Sequence, residues 1–436
     1  MTFFTTGTQS LVVHDPANPG WSGALAGIEV IQASPPSAPA LNRTVPTTLS
    51  DAVSFLVQGP GATQVGVADG ALDPARIAVV RGVVRAQSGP VAGVAVRIGS
   101  HPELGNTSTL VDGSFAFVLN GGEQSTLVFT APGVPEVHRT VRPAWGQQKT
   151  LADVVLFSNS DGQATAIDPS ATAIQVVRAP ISADAQAPRQ PTLLFPPSFH
   201  ATLQTAQGAS PLPMLHVRAF EYTVGPDGPA AMPGDLPPNS AYTHAVEFQV
   251  DEEDSGGGSV VLDKPAIYFT ENFLHFPVGS AVPAGSYDRT AAAWGDADSG
   301  RIIRVLDTAG AMATLDLDGS KKAASPEALA GLGITDGERA QLASLYAAGS
   351  ELWRVPPSHL SAWDLNWGIA PPADARRSQR PGLRPRHGSP EPALRSLVDQ
   401  GRAEGRRFRG RAQVAIREQE DVSEEARRQV PRREVR

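Results

Sequence analysis

The chain has 436 residues, 41% of them hydrophobic, and a formal net charge of −8, so it is long enough for roughly two to four domains with buried cores. Its 42 Gly and 39 Pro make up nearly a fifth of the sequence, against 18% charged residues; proline at that density breaks helices, which excludes a mainly helical protein and favours short strands joined by turns. Cysteine is absent, which excludes disulfides, thiol nucleophiles, thiolate zinc sites and iron–sulfur clusters.

In chain order, the opening MTFFTTGTQSLVVHDP has no basic n-region and no long apolar h-region, so no signal peptide is expected there. No stretch of about 18 apolar residues occurs, so no transmembrane segment is expected. Residues 1–75 read as an irregular or β-edge lead-in, with Val53, Phe55 and Val57 at alternate positions. The pattern then sharpens over 76–157. Residues 76–85 (RIAVVRGVVR) form a β-branched run, and Val94, Val96 and Ile98 alternate with smaller or polar residues. Phe115, Phe117 and Leu119 repeat the alternation, as do Leu127 and Phe129. Period-2 spacing places each set on one face of a sheet. Turn signals at Ser88-Gly89-Pro90, Asp112-Gly113 and Asn120-Gly121-Gly122 separate the runs. Short strands at this spacing predict a small antiparallel sandwich, with Asp112-Gly113 expected as a hairpin.

The string RGVVRAQSGPVAGVAVRIGSHPELGNTSTLVDGSFAFVL resembles the carboxypeptidase regulatory-like domain, a transthyretin-like β-sandwich. The resemblance rests on Gly89, Pro90, Val91, Gly93 and Val94, followed by Thr109, Asp112, Gly113 and Phe115. It implies a fold and an accessory role. Residues 158–370 continue as short strands with Pro-rich links, including the alternating rows His216-Arg218-Phe220-Tyr222 and Ala245-Glu247-Gln249. Three blocks here, 221–238, 271–307 and 352–367, are similar to the region preceding the YD repeats in bacterial Rhs/YD-repeat (RHS repeat-associated, teneurin-like) proteins. The YD repeats themselves are missing from this chain, where Tyr287-Asp288 is a single instance. One helix is predicted: Thr335 and Glu338 form a capping box, and Leu342, Leu345 and Tyr346 share a face before Gly349.

Residues 371–436 differ in kind. They carry 17 Arg, no Lys and 10 acidic residues, a net of +7, leaving 19 basic and 34 acidic residues before them, a net of −15. With one large aromatic, Phe408, this Arg-rich tail is expected to be disordered; it reads either as genuine or as the out-of-frame product of a GC-rich gene.

Candidate chemistry is sparse. There is no G-x-S-x-G elbow, and the nine histidines (14, 101, 138, 200, 216, 244, 275, 359, 387) form no H-x-H or H-x-x-x-H pair. Asp296, Asp298, Asp316 and Asp318 supply oxygens on turn-like strings and are weak calcium candidates, as is the run Asp251-Glu252-Glu253-Asp254. None has the full spacing of a calcium loop, and solvated acidic turns are the competing reading. Trp294, Trp353, Trp363 and Trp367 read either as loop anchors or as a sugar-stacking platform. The expected protein is therefore mainly β, with a transthyretin-like sandwich, a second β-rich domain with one short helix, and a disordered tail. It is expected not to be an enzyme, to hold no cofactor or catalytic residue, and to bind no nucleic acid. A protein or glycan surface is the expected partner, with a downstream YD-repeat shell in the full-length protein, at a secreted or cell-surface location. A stand-alone carbohydrate- or protein-binding module is the alternative.

Overall fold

The computed structural model describes residues 7–15, 18–30, 38, 40, 44–157, 163–225, 227–237, 240–256 and 258–368. The expectation of a disordered tail falls on 371–436, outside the described residues. The fold is mainly β, and no helix among the described residues is long and apolar enough to cross a membrane.

The strand Ile77–Ala86 is the centre of a sandwich. It pairs antiparallel with Gly89–Pro90 and Ser114–Asn120, and parallel with Gln148–Thr150 and Val154–Val155. The facing sheet runs Asn106–Ser108, Ala95–Ile98, Ser125–Ala131, Val134–Val141. Between them lie Val80, Val84, Val96, Ile98, Phe117, Leu127 and Phe129, all shielded from solvent, with Phe115 meeting Phe129 edge-to-face at 5.3 Å. The alternating rows read from the sequence are these inward faces.

Two features differ from the sequence reading. Asp112-Gly113 closes no hairpin: it carries the chain from Asn106–Ser108 in one sheet to Ser114–Asn120 in the other. The Asp112 carboxylate accepts from the Ser114 N–H (3.0 Å) and hydroxyl (2.6 Å), and a Cβ at Gly113, φ +75°, would lie 2.3 Å from the Val84 carbonyl. Val53, Phe55 and Val57 lie on no strand. Thr48 and Asp51 cap a helix, Leu49–Val53, in a reciprocal capping box that overrides the alternation, and Ser54–Leu56 continues it as a 3₁₀ turn. This lead-in packs Val53 and Leu56 on Ile77, Val79 and Val118, so the first sheet is buried on both faces. Gln64 joins it there as a backbone mimic. Its amide donates to the carbonyls of Leu104 (2.8 Å) and Val118 (2.9 Å), and its oxygen accepts from the Val118 N–H (2.7 Å).

The second domain is built on one strongly curled sheet. Its strands run Thr165–Ile167, Leu215–Glu221, Ala245–Val250, Ala362–Asp364, Ala281–Asp288, Ala293–Asp307, Glu351–Val355, Ile267–Glu271, Thr192–Phe195, Gln175–Arg178, with Thr314–Asp316 attached to Ala293–Asp307. The inward row includes Val217, Phe248, Tyr268, Ile302, Trp353 and Trp363. Outward residues Leu194, Phe269, Ile303 and Leu352 are covered by the helix Asp336–Leu345 through Leu342. That helix begins as predicted, with the Thr335 hydroxyl accepting from the Glu338 N–H at 3.1 Å. The other half of the box is not made. Glu338 turns instead to a buried bidentate pair with Arg354 (2.6 and 3.0 Å), because that guanidinium would otherwise be buried without a counter-charge. The helix stops at Leu345, before Gly349, and Tyr346 packs from an extended cap. Shorter helices at Leu49–Val53, Gly228–Ala231, Asp251–Gly256 and Pro326–Gly331 also exceed the single helix expected.

Phe117 is fully buried among both sheets. Phe117→Ala should cost about 3–5 kcal/mol by equilibrium urea unfolding. A loss below about 1 kcal/mol would mean the sandwich does not close over this ring.

Candidate functional site at the junction of the two domains

A cluster of ionisable groups lies where the sandwich meets the curled sheet. The outward row of Leu215–Glu221 sets it up. His216 and Arg218 face the acidic run that begins at Asp251, while Phe220 and the following Tyr222 meet Phe157, with ring centroids 6.1 and 5.5 Å away. Val155, Phe157, Tyr222, Met232, Tyr287 and Trp294 form the apolar part of the junction. Polar contacts ring it. Arg85 bridges Asp153 (3.0 Å) and Asp227 (2.5 Å). Arg139 donates to the Met232 carbonyl at 2.9 Å and to that of Ala230, and the His138 N–H donates to the Pro233 carbonyl at 2.6 Å.

At the centre is a chain of charges. Glu247, on the outward face of Ala245–Val250, accepts from the Tyr222 hydroxyl (2.6 Å) and from Arg289 (2.8 Å). Arg289 also reaches the Glu136 carbonyl, at 3.3 Å. Buried His138 stands between the Glu136 carboxylate (2.6 Å from Nε2) and the Tyr287 hydroxyl (2.8 Å from Nδ1). Burial pushes the Glu136 carboxyl upward, but the His138 hydrogen bond and the charges of His138, Arg97 and Arg289 outweigh it and hold it below the ordinary range. A cleft of about 480 Å³ opens beside this chain, lined by Arg97, Ser100, Thr126, Glu136, His138 and Arg289. Its charges already answer one another: Arg97 pairs with Glu136 at 3.1 Å and Arg289 with Glu247.

A second constellation has the outline of an acid–base relay. Glu221 lies 3.2 Å from Nδ1 of His244, whose Nε2 is 2.7 Å from the Tyr268 hydroxyl. Arg189 donates to Glu221 at 2.7 Å, pairs with Asp184 at 2.7 Å and stacks on Phe273. Burial raises the Glu221 carboxyl, yet His244 and Arg189 more than reverse this and lower it to about 2. Glu221, His244 and Tyr268 are all buried, and none of them lines the cleft above. A general base must reach its substrate's proton; this relay reaches only other side chains.

The residues singled out from the sequence are scattered. Asp316 is fully buried, and its carboxylate accepts from the N–H groups of Asp318 (3.1 Å), Gly319 (2.8 Å) and Lys321 (2.9 Å), organising a turn. Asp318 accepts from Ser320 N–H at 2.9 Å. Asp296 and Asp298 are exposed on the strand Ala293–Asp307. Among the described residues no group of three or more His, Asp or Glu side chains is placed to hold a metal ion. The acidic run is not a solvated turn. It forms the helix Asp251–Gly256, where Asp251 clasps Arg218 (2.8 and 2.9 Å) and Glu252 takes His216 (2.7 Å). Trp353 and Trp363 are buried, with Trp353 donating to Asn272 (2.8 Å) and Trp363 to the His359 carbonyl (3.1 Å). Trp367 packs on Phe276, and Trp294 on Tyr287. Each is packed against neighbouring side chains or loops. His275 is exposed at a left-handed φ of 54°; burial lowers the half-buried His359. Sequence reasoning missed Glu136, Arg139, Glu247 and Arg289, and gave His138 no role: Glu136, His138 and Glu247 sit outward on strands, Arg289 lies in the turn after Ala281–Asp288, and nothing local signals that another domain covers them.

Comparison with known proteins identifies one of the two domains. Residues 72–156 match the family described as the teneurin TTR-like domain. Teneurin-1 of Gallus gallus is 31% identical over 155 residues, which is 35% of this chain and 6% of that protein. The chain thus spans a small fraction of its curated relative. Two solved structures share 8–9% identity: a Bacteroides uniformis protein assigned only provisionally to carbohydrate binding (64% of this chain, 99% of that one, TM-score 0.14) and BcpA, the major pilin subunit of Bacillus cereus (56% and 80%, TM-score 0.16). Scores that low carry no argument. The sandwich is TTR-like, which agrees with the transthyretin-like reading of its turns; Thr109, one of the matched hallmarks, accepts from Val94 N–H (2.9 Å) and donates to the Val91 carbonyl (2.7 Å).

Two tests follow from this geometry. Removing Glu247 strands a largely enclosed guanidinium, so Glu247→Ala should cost about 2–4 kcal/mol, and Glu247→Ala with Arg289→Met should cost less than the single change. Equal or greater loss in the double variant would show that the pair does not act as a unit. Asp364 behaves oppositely to Glu221. Burial pushes its carboxyl up from 3.8 to about 6, the Asn366 hydrogen bonds offset part of this, and the nearby Asp296 charge adds to it. The folded state then holds the proton more tightly than the unfolded state, so stability falls as pH rises from about 4 to about 6. Asp364→Asn should raise stability at pH 7.5 by about 1–3 kcal/mol and change it little at pH 4. An equal effect at both pH values would refute the assignment.

Proposed function

We propose that this chain is a non-catalytic structural and interaction segment of a large secreted or cell-surface protein of the Rhs/YD-repeat type. The observation that carries the reading is the junction. A TTR-like domain is locked to a second β domain by a buried aromatic cluster and a chain of hydrogen bonds and ion pairs, which is how a rigid scaffold is made and not how a substrate is handled. The match of residues 72–156 to the teneurin TTR-like domain supports the same setting, as do the three blocks resembling the pre-repeat region. The enclosed position of the Glu221–His244–Tyr268 relay favours a stabilising role for it. A stand-alone binding module is the second reading. It is favoured by Trp145, which is 63% exposed on the sandwich beside Arg76, since exposed tryptophan is characteristic of recognition surfaces.

The test is to read the coding sequence beyond Trp367 and to produce the chain together with it. The proposal expects YD repeats and co-purification of residues 44–368 with the repeat shell after proteolytic cleavage. Absence of repeats, with a glycan-array signal lost in Trp145→Ala, would establish the second reading. Ester, glycoside or phosphoester turnover abolished by His244→Ala would overturn both.

A further inference from the structure

A second cleft, of about 550 Å³, lies away from the junction, between the strand Ala293–Asp307, the turn 317–325 and the helix Pro326–Gly331. Its polar lining is Arg301, Lys322, Ser320 and Ser325, with Asp318 at one side and Leu317 and Leu332 as apolar wall. Three observations set it apart. The turn is rigid: buried Asp316 gathers three backbone N–H groups, and Gly319 at φ +82° could not carry a Cβ, which would fall 2.8 Å from the Val278 carbonyl. Lys321 is held at φ +60°, an unfavourable conformation for a long side chain that the surrounding hydrogen bonds impose. The chain has only four lysines among its 36 basic residues, and two of them, Lys321 and Lys322, stand in this turn.

The charges differ in kind from those at the junction. Arg97 and Arg289 are paired with carboxylates, whereas among the described residues neither Arg301 nor Lys322 is in a salt bridge. Arg301 makes one long hydrogen bond, 3.4 Å to the Leu317 carbonyl. Asp318 is already engaged by Ser320. A guanidinium and an ammonium beside two hydroxyls and an aliphatic wall suit a carboxylate attached to a small, partly apolar body.

We propose that this cleft binds an organic carboxylate, with Arg301 and Lys322 holding the anion and Leu317 and Leu332 contacting its body. The proposal does not depend on the scaffold reading above. Two sources share this chemistry, the C-terminus of a peptide and an acidic sugar. The purified full chain is titrated by NMR or calorimetry with N-acetylleucine, with glucuronic acid and with N-acetylleucinamide. Saturable binding of at least one carboxylate is expected, weakening at high salt, with none for the amide. Binding of N-acetylleucine alone indicates a peptide end, and of glucuronic acid alone an acidic sugar. Arg301→Gln and Lys322→Gln should each weaken binding about tenfold or more, the scale of one charge-assisted hydrogen bond. Lys322 is exposed, so Lys322→Gln should keep its melting temperature and separate loss of binding from loss of fold. No saturable binding of either carboxylate, equal binding of the amide, or unchanged affinity in a folded Lys322→Gln protein would overturn the proposal.

Discussion

One carboxylate governs the architecture. Glu247 points outward from a strand whose six residues are all buried, and a carboxylate in that position is intolerable without compensation. Tyr222 comes from just past the end of the neighbouring strand and Arg289 from the turn of the hairpin 281–307. Arg289 then touches Glu136 of the sandwich, and Glu136 fixes His138 against Tyr287. Meeting the needs of one buried charge therefore sets the position of the hairpin 281–307 and of the sandwich strand Val134–Val141. The same logic recurs under the helix, where Arg354 captures Glu338. Buried ion pairs of this sort contribute modestly to net stability but penalise alternative packings heavily, which makes them agents of specificity.

Both sheets are covered on two faces, and this explains what could and could not be read from the sequence. Val94, Val96 and Ile98 were legible as a core row, as were Phe115, Phe117 and Leu119, because their faces alternate against partly exposed neighbours. Val118 was not, since its coverage comes from Val53 and Leu56, more than sixty residues earlier in the chain. In Ala245–Val250 polar and apolar residues alternate, yet Glu247 and Gln249 are as enclosed as Phe248. Periodicity reports which residues share a face and not whether that face meets water. The capping signals fared better because they are local: Thr335 acts as read, and the unremarked Thr48–Asp51 pair is strong enough to turn an alternating segment helical.

Charged clusters were the least legible. The acidic run Asp251–Asp254 and the Asp316–Asp318 turn both suggested cation ligands, and in both the oxygens described are taken by nearby N–H groups or basic side chains. Conversely, Glu221, His244 and Tyr268 come from three separate strands or their flanks, so the relay they form has no trace in local spacing. Its enclosure shows how far geometry alone can mislead: carboxylate, imidazole and hydroxyl at bonding distance describe a hydrogen-bond network as well as they describe a mechanism.

The passage from sandwich to sheet has a mechanical meaning. Val155 closes the first sheet by pairing with Ile77–Ala86, and the same residue, with Phe157, lies in the aromatic cluster of the second domain. The last strand of one body is thus already inside the other. Tension applied along the polypeptide would find no slack at 155–157; it would load the Phe157 contacts and the Arg85 and Arg139 bridges together, in parallel. Force carried through 155–157 would thus meet the junction contacts as one block.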